Sequence, residues 1–424
     1  MNPWLRETFA SLRVPAYRVL WFSVLLNFAA LWASIVSRGF LAFDLTDSAA
    51  ALGLLFLGFG LPMLVLSPIG GVIADRWPRK TVTVISQWSF AATNTVLAVL
   101  VLADVIELWM LFAGSISEGI GVALGIPARQ ALIGDLVDDD DIGNAVALQQ
   151  VSFNGVRIIA PTVAGLLIAV DAVGIGGVYL LQSVAYAAAA MVAMRLPSVE
   201  PRPAEKHVSP LAGITQGIRY IRGRPAILTL VLFAYAIEMT AFSYMVFIPA
   251  VVDDLFDGGS VALGVMTTTI AAGAFAASLR VAWLADRASG WTFHLLAALV
   301  FGPLLIAFAL SPVFAVALLI GVALGGAETG FLSMNQSLSM RFSHSDYYGR
   351  VQSVLLFGFA LNGLVGFPVG LIADIVGLRQ AMVGLGVASS VLVLLVLLYS
   401  RRIDARSDAH PFAEAAPVEP SAAS

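Results

Sequence analysis

The chain has 424 residues, of which 59% are hydrophobic and only 12% charged, where a soluble domain carries roughly a quarter charged. That composition excludes an ordinary soluble enzyme and places the polypeptide in lipid, and a net charge of -4 without a dense basic stretch gives no reason to invoke nucleic acid. With no cysteine in the chain, disulfides, thiol catalysis and Cys-ligated metal centres are impossible.

A spanning helix uses about 20 residues, and apolar runs of that order predict twelve transmembrane helices. In chain order they cover residues 19–43, 49–74, 81–103, 108–127, 143–170, 174–194, 226–252, 260–284, 292–310, 313–334, 351–373 and 377–399. Runs this continuously apolar are helices, because a barrel strand would alternate. The first follows Arg6, Arg13 and Arg18 but is too long for a signal peptide, so it is expected to remain as an uncleaved helix.

Residues 195–225 form a polar interruption with five prolines and six basic residues, dividing the spans six and six. The expected organisation is an N-terminal bundle over 1–196, a linker over 197–224, a C-terminal bundle over 225–400 and a disordered tail over 401–424. Leu211, Ile214, Ile218 and Ile221 share one helical face in the linker, as in a helix lying on the inner membrane surface; a disordered linker is the alternative. With the N-terminus inside, 20 of the 23 Lys and Arg residues fall on inner segments, while outer loops carry Asp44, Asp47, Asp104, Glu107, Asp171, Asp253, Asp254 and Asp257. This asymmetry predicts that both termini are cytoplasmic. The two halves also repeat: Ala74-Asp75-Arg76 returns as Ala285-Asp286-Arg287, 211 positions on, and Gln130 and Gly165 return as Gln336 and Gly370 at offsets of 206 and 205.

The loop after the second span reads Gly70-Gly71-Val72-Ile73-Ala74-Asp75-Arg76-Trp77-Pro78-Arg79-Lys80. Gly71 permits close helix approach, Asp75 can face a helix N-terminus, and Arg76, Arg79 and Lys80 suit anionic head groups or loop acids. This loop resembles the signature loop of the major facilitator superfamily, with Pro78 where the family has glycine. Asp286 and Arg287 sit in the equivalent place of the second half. The resemblance, over nearly the whole chain, implies an all-α membrane protein of two pseudo-symmetric six-helix bundles that carries a small molecule by alternating access. It also implies that Asp75 caps the eleventh helix near Tyr347 to Arg350. No Walker phosphate loop is present, no cofactor is expected, and the chain is expected to act as a monomer in the bilayer.

Asp44-Leu45-Thr46-Asp47-Ser48 with Leu52-Gly53, Pro127-Ala128-Arg129-Gln130-Ala131-Leu132 and Asn144-Ala145-Val146-Ala147-Leu148 look like the subgroup of bacterial macrolide-efflux and enterobactin-exporter proteins. A bacterial inner membrane and export are what this likeness implies. Asp47 or Ser48 can cap the second span. Arg129 and Gln130 are expected at the inner gate, near Asp135 and the run Asp138 to Asp141, which either chelates a cation or caps a helix. Gly155 and Ala160-Pro161-Thr162-Val163-Ala164-Gly165 resemble the antiporter motif of the superfamily, with Ala160 and Ala164 replacing glycines. Small residues there allow tight packing and Pro161 a bend. Ser115 and Glu118 stand where the family's fourth span has arginine and glutamine, so a relay built on that arginine does not carry over.

Arg38, Glu118, Arg157, Glu238 and Glu328 lie inside spans, each costing about 2.5 to 3.5 kcal/mol on insertion scales. Four of the five fall on helices one, four, seven and ten, which surround the cavity in the resembled fold. Glu238, with Glu118 as its rival, is expected to carry a coupling proton, unless Arg38 or Arg157 holds it as a fixed ion pair. Arg38 either snorkels or pairs with Asp44, Arg157 is a candidate partner for a glutamate, and Glu328 either lines the cavity or neutralises a basic side chain. Asn27, like Asn94, Asn154, Asn335, Asn362 and Gln182, can hydrogen-bond between helices or to substrate. The four histidines show no metal spacing and are assigned no chemistry. The expected function is proton-coupled efflux of an amphipathic drug, macrolide or siderophore-like molecule, with import, or a receptor that kept the fold, as alternatives.

Overall fold

The computed structural model describes residues 10–138, 141–198, 210–240, 242–284, 289–344 and 347–404, and every regular element among them is a helix. The first half comprises α1 (Pro15–Thr46), α2 (Ala49–Arg76), α3 (Arg79–Leu102), α4 (Leu108–Leu136), α5 (Ile142–Ile168) and α6 (Gly174–Ala193). After α7 (Pro210–Arg222) come α8 (Pro225–Thr240), a 3-10 segment (Phe242–Phe247) and α9 (Ile248–Phe256). The remainder is α10 (Ser260–Leu284), α11 (Ser289–Ala309), α12 (Phe314–Phe342), α13 (Tyr348–Val376) and α14 (Leu378–Asp404). Among the described residues ten segments are long and apolar enough to cross a membrane. The other two predicted spans, α5 and α13, are helices of 27 and 29 residues whose apolar stretches are shorter, Gly155–Ile168 and Leu364–Val376.

The differences from the predicted spans lie at prolines and ends. The seventh is not one helix: α8 stops at Thr240 and a new helix starts at Ile248, with Pro249 in its first turn. Proline lacks the N–H for the carbonyl four residues back and crowds it, so the chain restarts there. Conversely, α4 runs through Pro127 to Leu136. Pro127 deprives the Ala123 carbonyl of its intrahelical donor, and Gly70 of α2 packs against that oxygen so closely that a Cβ would collide with it. Gly70 thus makes the close approach expected of Gly71, which faces open space; neighbours on a helix point about 100° apart. Ser48 caps α2 by accepting from the Ala51 amide at 3.3 Å, whereas Asp47 ends α1 in the left-handed region, φ 51. Asp141 precedes α5 without a side-chain cap.

The repeat seen in the sequence is repeated in the packing. Gly119 of α4 lies against the Phe59 carbonyl of α2, and Gly325 of α12 lies against the Ile270 carbonyl of α10. Gly325 follows Gly119 by 206 positions and Ile270 follows Phe59 by 211, the same offsets as the paired motifs. The halves meet along two seams, α2 with α13 and α5 with α10. Gly370 faces the Ala49 carbonyl and Ala50 Cα, Gly53 faces Gly366, Gly165 faces the Ser260 carbonyl, and Gly264 faces Thr162. Lipid offers no hydrophobic drive between helices, so such small-residue contacts carry the association.

The linker contains the predicted helix, α7, but it rests on protein. Gly217 abuts Arg350, Tyr220 stacks on Tyr347 at 4.0 Å, and Ile221 is buried with Ile227, Val231, Val351 and Val354, while Ile218 is exposed. Residues 199–209 and 405–424 lie outside the described part, α14 reaching Asp404.

At the end of the α2–α13 seam the Asp374 carboxylate accepts from Ser48 Oγ (2.6 Å), Ala49 N (2.8 Å) and Ala50 N (3.3 Å). It satisfies amides that the start of a helix leaves without partners. Asp374→Ala should lower the thermal stability of the purified protein by about 0.5–2 kcal/mol, the range of a lost N-cap, with Asp374→Asn losing less. An unchanged melting curve for the alanine variant would show that this carboxylate does not hold the seam.

Candidate functional site

Two ion pairs occupy the interior. Arg38 of α1 and Glu118 of α4 meet at 2.5 Å, with 8% and 2% of their side chains exposed. Ser34 and Ser115 accept from the two guanidinium nitrogens of Arg38 at 2.9 and 3.1 Å, and Asn94 donates to Glu118 at 3.1 Å. Ser34 and Arg38 are four apart and Ser115 and Glu118 three apart, so each helix presents one polar patch to the other. Arg38 therefore neither snorkels nor reaches Asp44. The second pair joins the halves: Arg157 of α5 meets Glu328 of α12 at 2.8 Å, Tyr244 donates to the other oxygen of Glu328 at 3.0 Å, and the Arg157 guanidinium lies 5.1 Å over the Trp32 ring. Glu328 thus neutralises a basic side chain.

Glu238, near the end of α8, has no such partner. It is 7% exposed, its Oε2 is buried without a hydrogen bond, and none of the three ion pairs among the described residues includes it. Gly358 of α13 makes its room, since a Cβ there would run into Glu238 Oε2 and the Tyr235 ring. Among the described residues the interior thus holds two neutralised pairs and one carboxyl without a cation.

Arg79 of the signature loop pairs with Asp135 at 2.6 Å and donates to the Ala74 carbonyl at 3.3 Å, tying the start of α3 to the ends of α2 and α4. Lys80 donates to the Leu196 carbonyl at 2.6 Å, and Arg76 is exposed. The Asp75 side chain and residues Asp286 and Arg287 lie outside the described residues. Arg129, six residues before Asp135 on α4 and so on another face of it, donates to Asn27 Oδ1 at 3.2 Å and lies 5.0 Å over the Phe28 ring, while Gln130 is exposed.

The antiporter-like stretch packs on α10. Gly165 and Pro161 face Ser260 and Gly264, Thr162 donates to the Gly264 carbonyl at 3.2 Å and shares a hydrogen bond with Thr268, and Gly155 meets open space. Asn94 and Gln182 bond between helices as expected, the latter to Ser37 at 2.8 Å. His294, within the predicted span 292–310, is fully buried in α11. Its Nε2 is 3.0 Å from Asn335 Oδ1, and its ring stacks on Trp291 and Phe331. A lone histidine in an apolar run, three residues after a tryptophan, was the available signal for this burial. Tyr244 carried no such signal.

Breaking one partner out of a buried pair costs about 3–5 kcal/mol, while replacing both is far cheaper. Glu118→Gln or Arg38→Met alone should markedly lower the melting temperature in detergent, and the double substitution Arg38→Met with Glu118→Gln should recover most of it. Additive losses in the double variant would mean that the two side chains are not energetically coupled.

The model of the transmembrane secretion effector family of major facilitator proteins matches residues 6–418. The staphyloferrin A transporter of Staphylococcus aureus is 23% identical over 387 residues, 90% of this chain and 95% of that one. The enterobactin exporter EntS of Escherichia coli is 26% identical over 292 residues, 67% of each chain. The MFS-type transporter YfiS of Bacillus subtilis is 30% identical over 193 residues, and that match spans only 44% of either chain. Among solved structures, the nucleoside transporter NupG (D323A mutant) superposes with a TM-score of 0.74 at 14% identity, covering 90% of this chain and 99% of that one, which bears on the fold alone. These proteins are transporters, not enzymes, and the likeness to macrolide and enterobactin exporters read from residues 44–53 and 127–148 falls in the same family. The chain is a multi-span membrane transporter for small molecules, and it belongs to the transmembrane secretion effector family of the major facilitator superfamily.

Proposed function

We propose that this transporter exports an amphipathic small molecule, siderophore-like or drug-like, in exchange for protons, with Glu238 as the residue that carries the proton. The supporting observation is the charge inventory of the interior: Glu118 and Glu328 are held by arginines and Glu238 is not. A buried carboxyl without a cation is tolerated when protonated and costly when ionised, so its protonation responds to which side of the membrane it faces. A carboxylate fixed in an ion pair responds far less, which supports Glu238 over Glu118. Export is favoured by relatives named for exporting enterobactin and effluxing macrolides.

In the proposed cycle the substrate enters between the halves, and the α2–α13 and α5–α10 seams part and close about it. Glu238 takes up a proton in one state and releases it in the other, biasing the equilibrium by the difference in its two environments. The chain is proposed to sit as a monomer in a bacterial inner membrane with both termini in the cytoplasm, on the strength of the Lys and Arg asymmetry.

In proteoliposomes, Glu238→Gln should abolish transport driven by a pH gradient while leaving exchange of labelled against unlabelled substrate intact, tested with enterobactin, staphyloferrin A and a lipophilic dye as cargo. Uphill transport by that variant with undiminished dependence on the gradient would remove Glu238 from the proton path. For topology, Arg202→Cys should react with a membrane-impermeant maleimide only after permeabilisation and Asp257→Cys in intact cells. The native chain has no cysteine to compete, and equal labelling of both from outside would reverse the orientation argument.

A further inference from the structure

The first half contains a cluster of hydrogen-bond donors with nothing to receive them. Arg129 Nε, Asn27 Nδ2, Gln149 Nε2 and Trp32 Nε1 are all buried and all lack an acceptor. They come from three helices, α1, α4 and α5, and they surround one aromatic core. Phe28 packs edge-on against Phe153 at 4.9 Å, Trp32 packs edge-on against the same ring at 5.6 Å, and the Arg129 guanidinium lies over Phe28. On α1, Phe28 and Trp32 are four residues apart, as are Gln149 and Phe153 on α5, so these stripes face each other. The orientation of the Asn27 amide is settled by chemistry, because Arg129 can only donate. Its bond at 3.2 Å must go to Oδ1, which leaves Nδ2 pointing elsewhere as a free donor.

The charge here is likewise uncompensated. Among the described residues the three ion pairs use Arg38, Arg79 and Arg157, and the acid nearest in sequence, Asp135, is bonded to Arg79. Arg129 has a neutral amide oxygen and a ring face as its recorded partners. Each buried donor left unmade costs free energy, and four of them on three helices, one belonging to a guanidinium, favour an acceptor supplied from outside the chain. The residues Arg129, Trp32, Gln149 and Phe153 are half-buried, although the donor atoms themselves are buried.

We infer that this cluster is the anion-recognising part of the substrate site, binding the carboxylate or phenolate oxygen of an aromatic acid through Arg129 and Asn27 while the ring of that acid lies among Phe28, Trp32 and Phe153. Guanidinium and amide donors satisfy both oxygens of a carboxylate in charge-assisted bonds, and aromatic side chains take a planar ring edge-on or offset. The inference deepens the export reading and rests on it for the fate of the bound molecule, but not for binding itself. An anionic substrate also complements Glu238, since each half then contributes one charge that the protein leaves unpaired: the first takes the anion, the second the proton.

The test is equilibrium binding to the full-length protein in zwitterionic detergent, read as the thermal shift against concentration of benzoate, benzylamine and benzyl alcohol. Benzoate should stabilise the protein and the other two should not, and Arg129→Gln should weaken benzoate at least about tenfold, as for a lost charge-assisted pair. Asn27→Asp guards against a misfolded Arg129 variant. It places a carboxylate of matching size beside the guanidinium, so it should raise the melting temperature without ligand and remove the benzoate response. Equal shifts with benzylamine or benzyl alcohol, or an unaltered benzoate response in both variants, would overturn the assignment. So would an Arg129-dependent shift with phosphatidylglycerol and none with benzoate, which would make this a lipid head-group site. Glu238→Gln is measured alongside: benzoate binding that persists when pH-driven transport is lost separates failure of the proton assignment from failure of this one.

Discussion

A charge that cannot reach water must meet an opposite charge, and inside a membrane domain this constraint decides which residues remain available for work. Arg38–Glu118 and Arg157–Glu328 remove four of the five ionisable residues predicted within spans from the list of free groups. The two pairs act at different levels. The first lies within one half and fixes the rotation of α1 against α4, with Ser34, Ser115 and Asn94 completing its hydrogen bonds. The second crosses from α5 to α12, so it bears on how the halves sit together. Among the described residues this leaves Glu238 in the interior without a cation and Arg129 with no recorded anionic partner.

Close packing supplies what the hydrophobic effect cannot supply in lipid. The seams between the halves are lined by Gly53, Gly165, Gly264, Gly366 and Gly370 against backbone atoms, and the pairs α2–α4 and α10–α12 use glycine against carbonyl in the same way. Contacts of this kind are short-ranged and carry no net charge, so a seam can separate without stranding an ion. The exceptions are polar latches: Asp374 on the first turn of α2, and Arg157 with Glu328 between the halves. Any rearrangement of the halves must give up these bonds and be repaid by others, which makes them the natural points at which a bound substrate or proton tilts the balance.

Much was legible in the chain as written. Long apolar runs identify spanning helices because every backbone group in hydrocarbon must be bonded internally, and the repeated Ala-Asp-Arg and its offset of 211 foretold a duplication that the Gly119 and Gly325 contacts repeat in three dimensions. The charged residues within spans stood out by type alone. The signature loop and the stretches around Asp44 and Pro127 pointed to the family for the same reason, since motifs are local and survive being read in one dimension.

Partnership was decided only by the fold. Arg157 and Glu328 are 171 residues apart, and no local pattern states that one helix will turn its arginine toward that glutamate. The same holds for Asp135 meeting Arg79, for Arg129 facing Asn27 and Phe28, and for Gly70 rather than Gly71 meeting α4. A rotation of one residue moves a side chain by about 100° around its helix, so which groups meet depends on the rotation and contact of whole helices. The sequence by itself determined that this protein crosses a membrane in paired sets of helices and carries charges into them; the tertiary structure alone decided which charges cancel and which stand without a counter-charge.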